Sequence, residues 1–297
     1  MIPAEFEEPA YEAPLYNQLE RGVAHLYTPG RVLEQHLGFD RGIYIAEQMV
    51  WETLGYSVPP SGMALGYYDW PMWFGPPRPR SNLPRFRLNL FLQAKRSLYY
   101  ARRPRSLARF TDYQGPMWAF RIKEHQQNLL MHLANRAGAR AHVTYAAPAF
   151  HTNAALFTHT RCRSIIPNSS FPSVMVLDGH EAWYYRDPGT VGVANPNPER
   201  IEERPFLERL RHLATDAPIS DRGDLFGFDD LAPEVIAAVQ DDENLAEPYA
   251  AQYFDDLQTL DRLLEPYNIR PTLRAYSQVR LFTLRYALTW LIYSGPA

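Results

Sequence analysis

Two kinds of hydrophobic pattern divide the chain. Helical spacing appears in RVLEQHLG (31–38) and in YIAEQMVWETLGY (44–56), where Ile45, Met49, Trp51 and Leu54 form an apolar stripe that Gly55 closes. PPSG then predicts a turn, MALGYY a short apolar run ending at Asp69, and the Pro-rich loop PMWFGPPRPRSNLP leads into LNLFLQAKRS, residues 88–97. Leu88 to Leu92 read as a buried strand, yet the run ends in Gln93, Ala94, Lys95 and Arg96. Further on, WAFRIKEHQQNLLMHLANRAG (118–138) predicts a strand end running into a long helix stopped by Gly138. ARAHVTYAAPAF is a β-rich run cut at Pro148, and SVMVLDGHEAWYY predicts two short strands joined at Asp178 and Gly179. This β, α, β, β order argues for an α/β domain, a mixed sheet flanked by helices.

NPNPE, near residue 196, is a cluster of breakers, and the pattern changes after it. ERIEERPFLERLRHLA, PEVIAAVQ, EPYAAQYFDDLQTLDRLLEPY and PTLRAYSQVRLFTLRYALTWLIY all carry a 3.6-residue period. The expected organisation is therefore a domain over residues 1–196 and an all-helical C-terminal region over 197–297. No internal repeat, low-complexity tract, glycine-rich phosphate loop or Walker-type Lys-Ser/Thr pair is present, which argues against an ATPase.

Composition narrows the class without naming a function. Hydrophobic residues at 46% and charged residues at 21% of 297 are ordinary for a globular chain. The acidic opening MIPAEFEEPAYEAP lacks the regions of a signal peptide, and the longest apolar run, Tyr286 to Tyr293, is far short of the roughly 20 residues that span a bilayer. A single cysteine, Cys162, excludes an internal disulfide framework. The expectation is a soluble, cytoplasmic protein with no membrane partner.

Charge changes the picture more. The net charge of −3 conceals a window between Asp69 and Asp112 with no Asp or Glu, which holds ten of the thirty basic residues: Arg78, Arg80, Arg85, Arg87, Lys95, Arg96, Arg102, Arg103, Arg105 and Arg109. Residues 201–297 lean the other way, with 17 acids against 9 Lys and Arg. A basic segment interleaved with Trp70, Trp73, Phe74, Tyr99 and Tyr100 suits a phosphate backbone. It equally suits a solvated loop, or a dock for the chain's own acidic C-terminal region.

A strand ending in Gln-x-Lys points both side chains to one face, because side chains alternate with period two. Facing a cleft, such a lysine can orient water while the glutamine oxygen points to a metal, the equipment of phosphodiester hydrolysis. Gln126 and Gln127, on the following helix, lie within reach of that rim or on a solvated helix face. His142, His151 and His180 match no metal-ligand spacing and read as structural or surface residues.

The LFLQAKRS strand, with acids upstream and WAFRIKEHQQ downstream, resembles the Gln-x-Lys variant of the PD-(D/E)xK nuclease superfamily, which includes restriction endonucleases and anti-phage nuclease effectors. The resemblance covers roughly residues 30–195. It implies a restriction-endonuclease-like fold, a Mg²⁺ (or Mn²⁺) cofactor, a glutamate on the first helix and an aspartate on the strand pairing with the motif strand. The glutamate is Glu34 or Glu47, and the aspartate Asp40 or Asp69; with Gln93 and Lys95 these form the implied catalytic set, the metal falling to Asp40, Asp69 and Gln93. Arg78, Arg80, Arg96, Arg102, Arg103 and Arg105 become the implied nucleic-acid contacts. The expectation is a nuclease acting on DNA in bacterial anti-phage defence, with the C-terminal region available for a homo-oligomer or a defence-complex subunit. A rival expectation keeps the fold without the chemistry, as a nucleic-acid-binding or scaffolding subunit.

Overall fold

The computed structural model describes residues 1–19, 24–27, 42–45, 88–110, 113–186, 189–216, 227–241, 248–265 and 271–293. Their order is β1 (Ile2–Pro3), α1 (Glu8–Leu19), β2 (Ala24–Tyr27), β3 (Gly42–Ile45), β4 (Leu88–Ala94), β5 (Leu98–Tyr100), β6 (Met117–Arg121), α2 (Glu124–Ala137), β7 (Ala141–Pro148) and α3 (Asn153–Arg161). There follow β8 (Ser169–Ser170), β9 (Ala182–Tyr185), β10 (Val191–Asn195), β11 (Glu199–Glu202), α4 (Phe206–Asp216), α5 (Phe228–Asp241), α6 (Pro248–Leu264), α7 (Pro271–Arg285) and β12 (Thr289–Tyr293). The chain is a mixed α/β protein with a largely helical C-terminal region.

Two larger sheets organise it, a four-stranded one ordered β12-β4-β7-β8 and a six-stranded one ordered β1-β5-β6-β9-β10-β11; β2 and β3 form a separate antiparallel pair. In the four-stranded sheet β4 runs parallel to β7, with Gln93 opposite Tyr145, and antiparallel to β12, with Leu92 opposite Thr289. Parallel neighbours need a long crossover, and α2 lies within it. All seven residues of β4 are buried, because helices cover both faces of the sheet. Phe91 faces a core built with Val143, Tyr145, α2, α5 and α7; Leu88, Leu90, Leu92 and Ala94 face a second core with α1, α3 and α4.

Lys95, Arg96 and Ser97 form the step by which the chain leaves one sheet and enters the other at β5. In the six-stranded sheet, Trp183 lies over Gly192, where a Cβ would sit 2.1 Å from the indole. Any side chain larger than hydrogen would displace that ring.

Three expectations of secondary structure are corrected. The C-terminal region is not all-helical: Thr289–Tyr293, read as the tail of a helix, is a strand, and Glu199–Glu202, read as a helix start, is the charged edge of the six-stranded sheet. NPNPE is the turn of the β10–β11 hairpin. The division expected at residue 196 falls inside that turn, and the principal core draws on residues from both sides of it. Val174–Leu177, expected as a strand, is a 3₁₀ turn, and Tyr44 and Ile45, expected to open a helix, belong to β3. Among the described residues no helix is long and apolar enough to cross a membrane.

Candidate functional site

Gln93 and Lys95 point to the same face, as period two requires, and meet one residue there. Gln126, in the first turn of α2, donates through Nε2 to Gln93 Oε1 at 2.8 Å and accepts from Lys95 Nζ on Oε1 at 2.5 Å. One amide thus ties together both ends of the Gln-x-Lys pair. The register is held from below, since the Lys95 backbone N–H donates to Ala146 O at 2.9 Å and extends the parallel ladder one step past β4. Tyr145, opposite Gln93, carries its ring beneath the ammonium, 5.3 Å from Nζ to the centroid, and donates its hydroxyl to Gln127 Oε1 at 2.7 Å. Gln127 is buried and donates in turn to Val174 O. The two glutamines are therefore no solvated helix face: one bridges the motif and the next anchors the helix to the 3₁₀ turn.

Lys95 is 8% exposed, and burial pulls its pKa from 10.5 down to about 8. The Glu8 carboxylate opposes that shift and the Lys123 ammonium adds to it. An amine that is half protonated at pH 8, packed against an aromatic ring and an amide, is available for proton or phosphate chemistry in a way that a solvated lysine is not. Glu8, Lys123 and Tyr145 were not legible as neighbours of the motif. The only sequence signal for Glu8 was an acidic N-terminus, which carries no positional information.

The four acids assigned by resemblance, Glu34, Asp40, Glu47 and Asp69, lie outside the described residues, as do Arg78 and Arg80. The strands on either side of β4, AHVTYAAP and TWLIY, carry no carboxylate. A divalent cation here would draw on oxygen donors, and Gln93 Oε1 and Gln126 Oε1 are neutral oxygens of the kind Mg²⁺ accepts. Both already take a hydrogen bond. Among the described residues no group of three or more His, Cys, Asp or Glu is arranged to hold a metal ion. The donors on view fit a metal only with carboxylates added to them.

The described arginines separate into two groups. Arg96 is spent within the chain: its guanidinium donates to Ala4 O and, at 2.8 Å, to Glu7 Oε1, while its backbone N–H donates to Glu8 Oε1 at 3.0 Å. It docks the N-terminal segment. Arg102, Arg103 and Arg105 belong to a loop seated on the six-stranded sheet by Leu107, Phe110 and Tyr113, which pack with Met117 and Val193. Arg103 donates to Phe110 O at 2.7 Å and braces that loop, whereas Arg102, Arg105 and Arg109 are exposed. The C-terminal acids meet other arginines, Asp241 with Arg136, Asp256 with Arg285 and Asp261 with Arg274.

The histidines behave as expected of structural residues: His151 stacks on Tyr99 at 4.0 Å, and His180 Nδ1 lies 3.0 Å from Pro196 O. His142 Nε2 is buried without a hydrogen-bond partner, and burial, with Arg209 nearby, lowers its pKa to about 3. Compared with protein-family models, with curated proteins and with solved structures, the chain returns no match.

Proposed function

We propose that the chain is a metal-dependent nuclease that hydrolyses phosphodiester bonds, with DNA as its substrate. The observation that carries this reading is the convergence of Gln93 and Lys95 on Gln126, at the end of a parallel strand pair, with the lysine buried and its pKa lowered to about 8. Lys95 Nζ would donate a hydrogen bond to a phosphate oxygen as negative charge builds on it, while the water oxygen bonds to phosphorus and gives up a proton to solvent, and the bond to the leaving oxygen breaks as that oxygen takes a proton from solvent. Gln93, with Asp40 or Asp69, would hold the cation, which supplies charge neutralisation at the attacked phosphate. Glu8, which opens the first described helix and whose charge reaches Lys95, joins Glu34 and Glu47 as a candidate for the helix glutamate. A setting in bacterial anti-phage defence follows from the resemblance alone.

Incubation of the full chain with supercoiled plasmid tests this. Nicking with Mg²⁺ or Mn²⁺, absent in EDTA and abolished by Lys95→Ala, is the expected result; cleavage that survives Lys95→Ala overturns the assignment. A second reading, a nuclease-like subunit that binds nucleic acid or scaffolds a complex without cutting, is favoured by one feature. The Gln126 amide occupies both Gln93 Oε1 and Lys95 Nζ, the two atoms the chemistry needs. Binding without cleavage in any divalent cation would select it.

A further inference from the structure

The outer face of the six-stranded sheet has its own chemistry. Register puts Ala119, Tyr184, Val193 and Arg200 in one row on the face turned away from the principal core, with Tyr100 and Met117 beside it and Arg121 on the row beyond; Ala119, Met117 and Val193 are buried there, whereas Arg200 is exposed. Tyr100 and Tyr184 are half-buried, their ring centroids 5.8 Å apart, while Arg121 is exposed. Residues 101–110, together with Tyr113, close one end of this face, because Leu107 is fully buried in a cluster with Met117 and Val193, and Tyr113 donates to Val191 O at 2.8 Å. Arg102 follows Tyr100 by two positions, and Arg105 and Arg109 flank the buried Leu107 in the chain. Arg102, Arg105 and Arg109 are exposed residues of that loop and Arg121 is exposed at the end of β6, with Glu202 on the same face, opposite Val191.

We infer that this face is a platform for single-stranded nucleic acid, with bases stacking on Tyr100 and Tyr184 and phosphates held by Arg102, Arg105, Arg109 and Arg121. Aromatic side chains on an open sheet face stack unpaired bases, and surrounding cations follow the backbone. A duplex hides its base faces and has no use for the tyrosines. An acidic protein segment would use the arginines but not the rings. The inference rests on the nucleic-acid part of the function proposed above and not on catalysis, so its test is run without divalent cation.

Fluorescence anisotropy of the full chain in EDTA, with labelled dT20, rU20 and a 20-base-pair duplex across a salt series, decides it. One of the two single strands should bind tighter than the duplex, and which one does identifies the sugar. Replacing Arg102, Arg105 and Arg109 together by Gln should shrink the slope of log affinity against log salt by roughly 0.7 per lost contact. Tyr100→Leu with Tyr184→Leu keeps apolar packing but removes the rings, and should weaken single-strand binding about five-fold or more with the slope unchanged. Should that pair lower the melting temperature, Arg121→Gln, on the exposed surface, must still reduce the slope. Equal affinity for the duplex, equal affinity for a poly-glutamate of similar length, or indifference to the tyrosine and Arg121 changes would each overturn the platform. Loss of plasmid cleavage with single-strand binding intact would count against the nuclease reading alone.

Discussion

Gln126 Oε1 accepts from Lys95 Nζ at 2.5 Å, so the motif lysine is held in place by a residue 31 positions away on the crossover helix. Burial lowers the Lys95 pKa to about 8, with the Lys123 ammonium adding to that shift and the Glu8 carboxylate opposing it. Gln126→Glu substitutes a carboxylate at hydrogen-bond distance from Nζ. We expect the Lys95 pKa to rise by about 1–3 units, since an opposite charge in contact favours the ammonium. Titration of ε-¹³C-labelled lysine by NMR reads this directly, and an unchanged value would show that the bridge does not persist in solution.

Burial of Lys95 also has a consequence for stability. Between pH 8 and 10.5 the unfolded chain keeps a proton that the folded chain has lost, so this residue makes stability rise with pH across that window. Below pH 8 both states are protonated and the cost of the buried charge is present in full, up to about 3 kcal/mol. Lys95→Met should therefore stabilise the protein near pH 7 and remove that rise, while abolishing activity. Urea midpoints of both proteins from pH 7 to 10.5 give the difference; parallel curves would mean that Lys95 is solvated.

The shared face of Gln93 and Lys95 was legible, because period two is a property of any strand, and the helices α4 to α7 were legible from their apolar spacing. What stayed hidden had local causes. Pro9 and Pro14 disguise α1, although proline is tolerated in a first turn and a docked helix absorbs another. The stop between α7 and β12 is Ala287, which takes a positive φ of 51° where glycine is the usual signal. An apolar run with no visible stop reads as continued helix. Glu199–Glu202 has the charged composition of a helix but is an exposed edge, where charge discourages further strand pairing. Tyr145 became part of the site through a register between strands 52 positions apart, which no local pattern encodes.

Arg96 tests the distinction between structural and phosphate-facing arginines. Its guanidinium fastens Ala4 and Glu7 to the end of the motif strand, in a half-exposed pair with Glu7 that contributes little by itself. The bonds to Ala4 O, which is buried, matter more. Arg96→Ala should cost about 1–2 kcal/mol in urea unfolding, from a lost charge-assisted hydrogen bond and an orphaned carbonyl. The salt slope for nucleic-acid binding should not change; a smaller slope would show that Arg96 meets phosphate as well.

Trp290 tests whether the C-terminal strand is part of the fold or an appendage. Its indole stacks on Phe91 of the motif strand, with centroids 6.2 Å apart and planes 6° from parallel, and Nε1 donates to Asn89 Oδ1 at 3.0 Å. Asn89 is buried, so removing that donor strands an acceptor away from water. Trp290→Ala loses both the ring and the hydrogen bond and should destabilise by about 3–5 kcal/mol. Trp290→Phe keeps the stack and loses only the bond, which should cost about 1–3 kcal/mol. Because β12 and β4 share a sheet and the principal core spans both halves of the chain, each variant should unfold in one transition, seen alike by fluorescence and circular dichroism. Two separated transitions, with only the later-melting one insensitive to Trp290, would show that the C-terminal region folds apart from the sheet that holds Gln93 and Lys95.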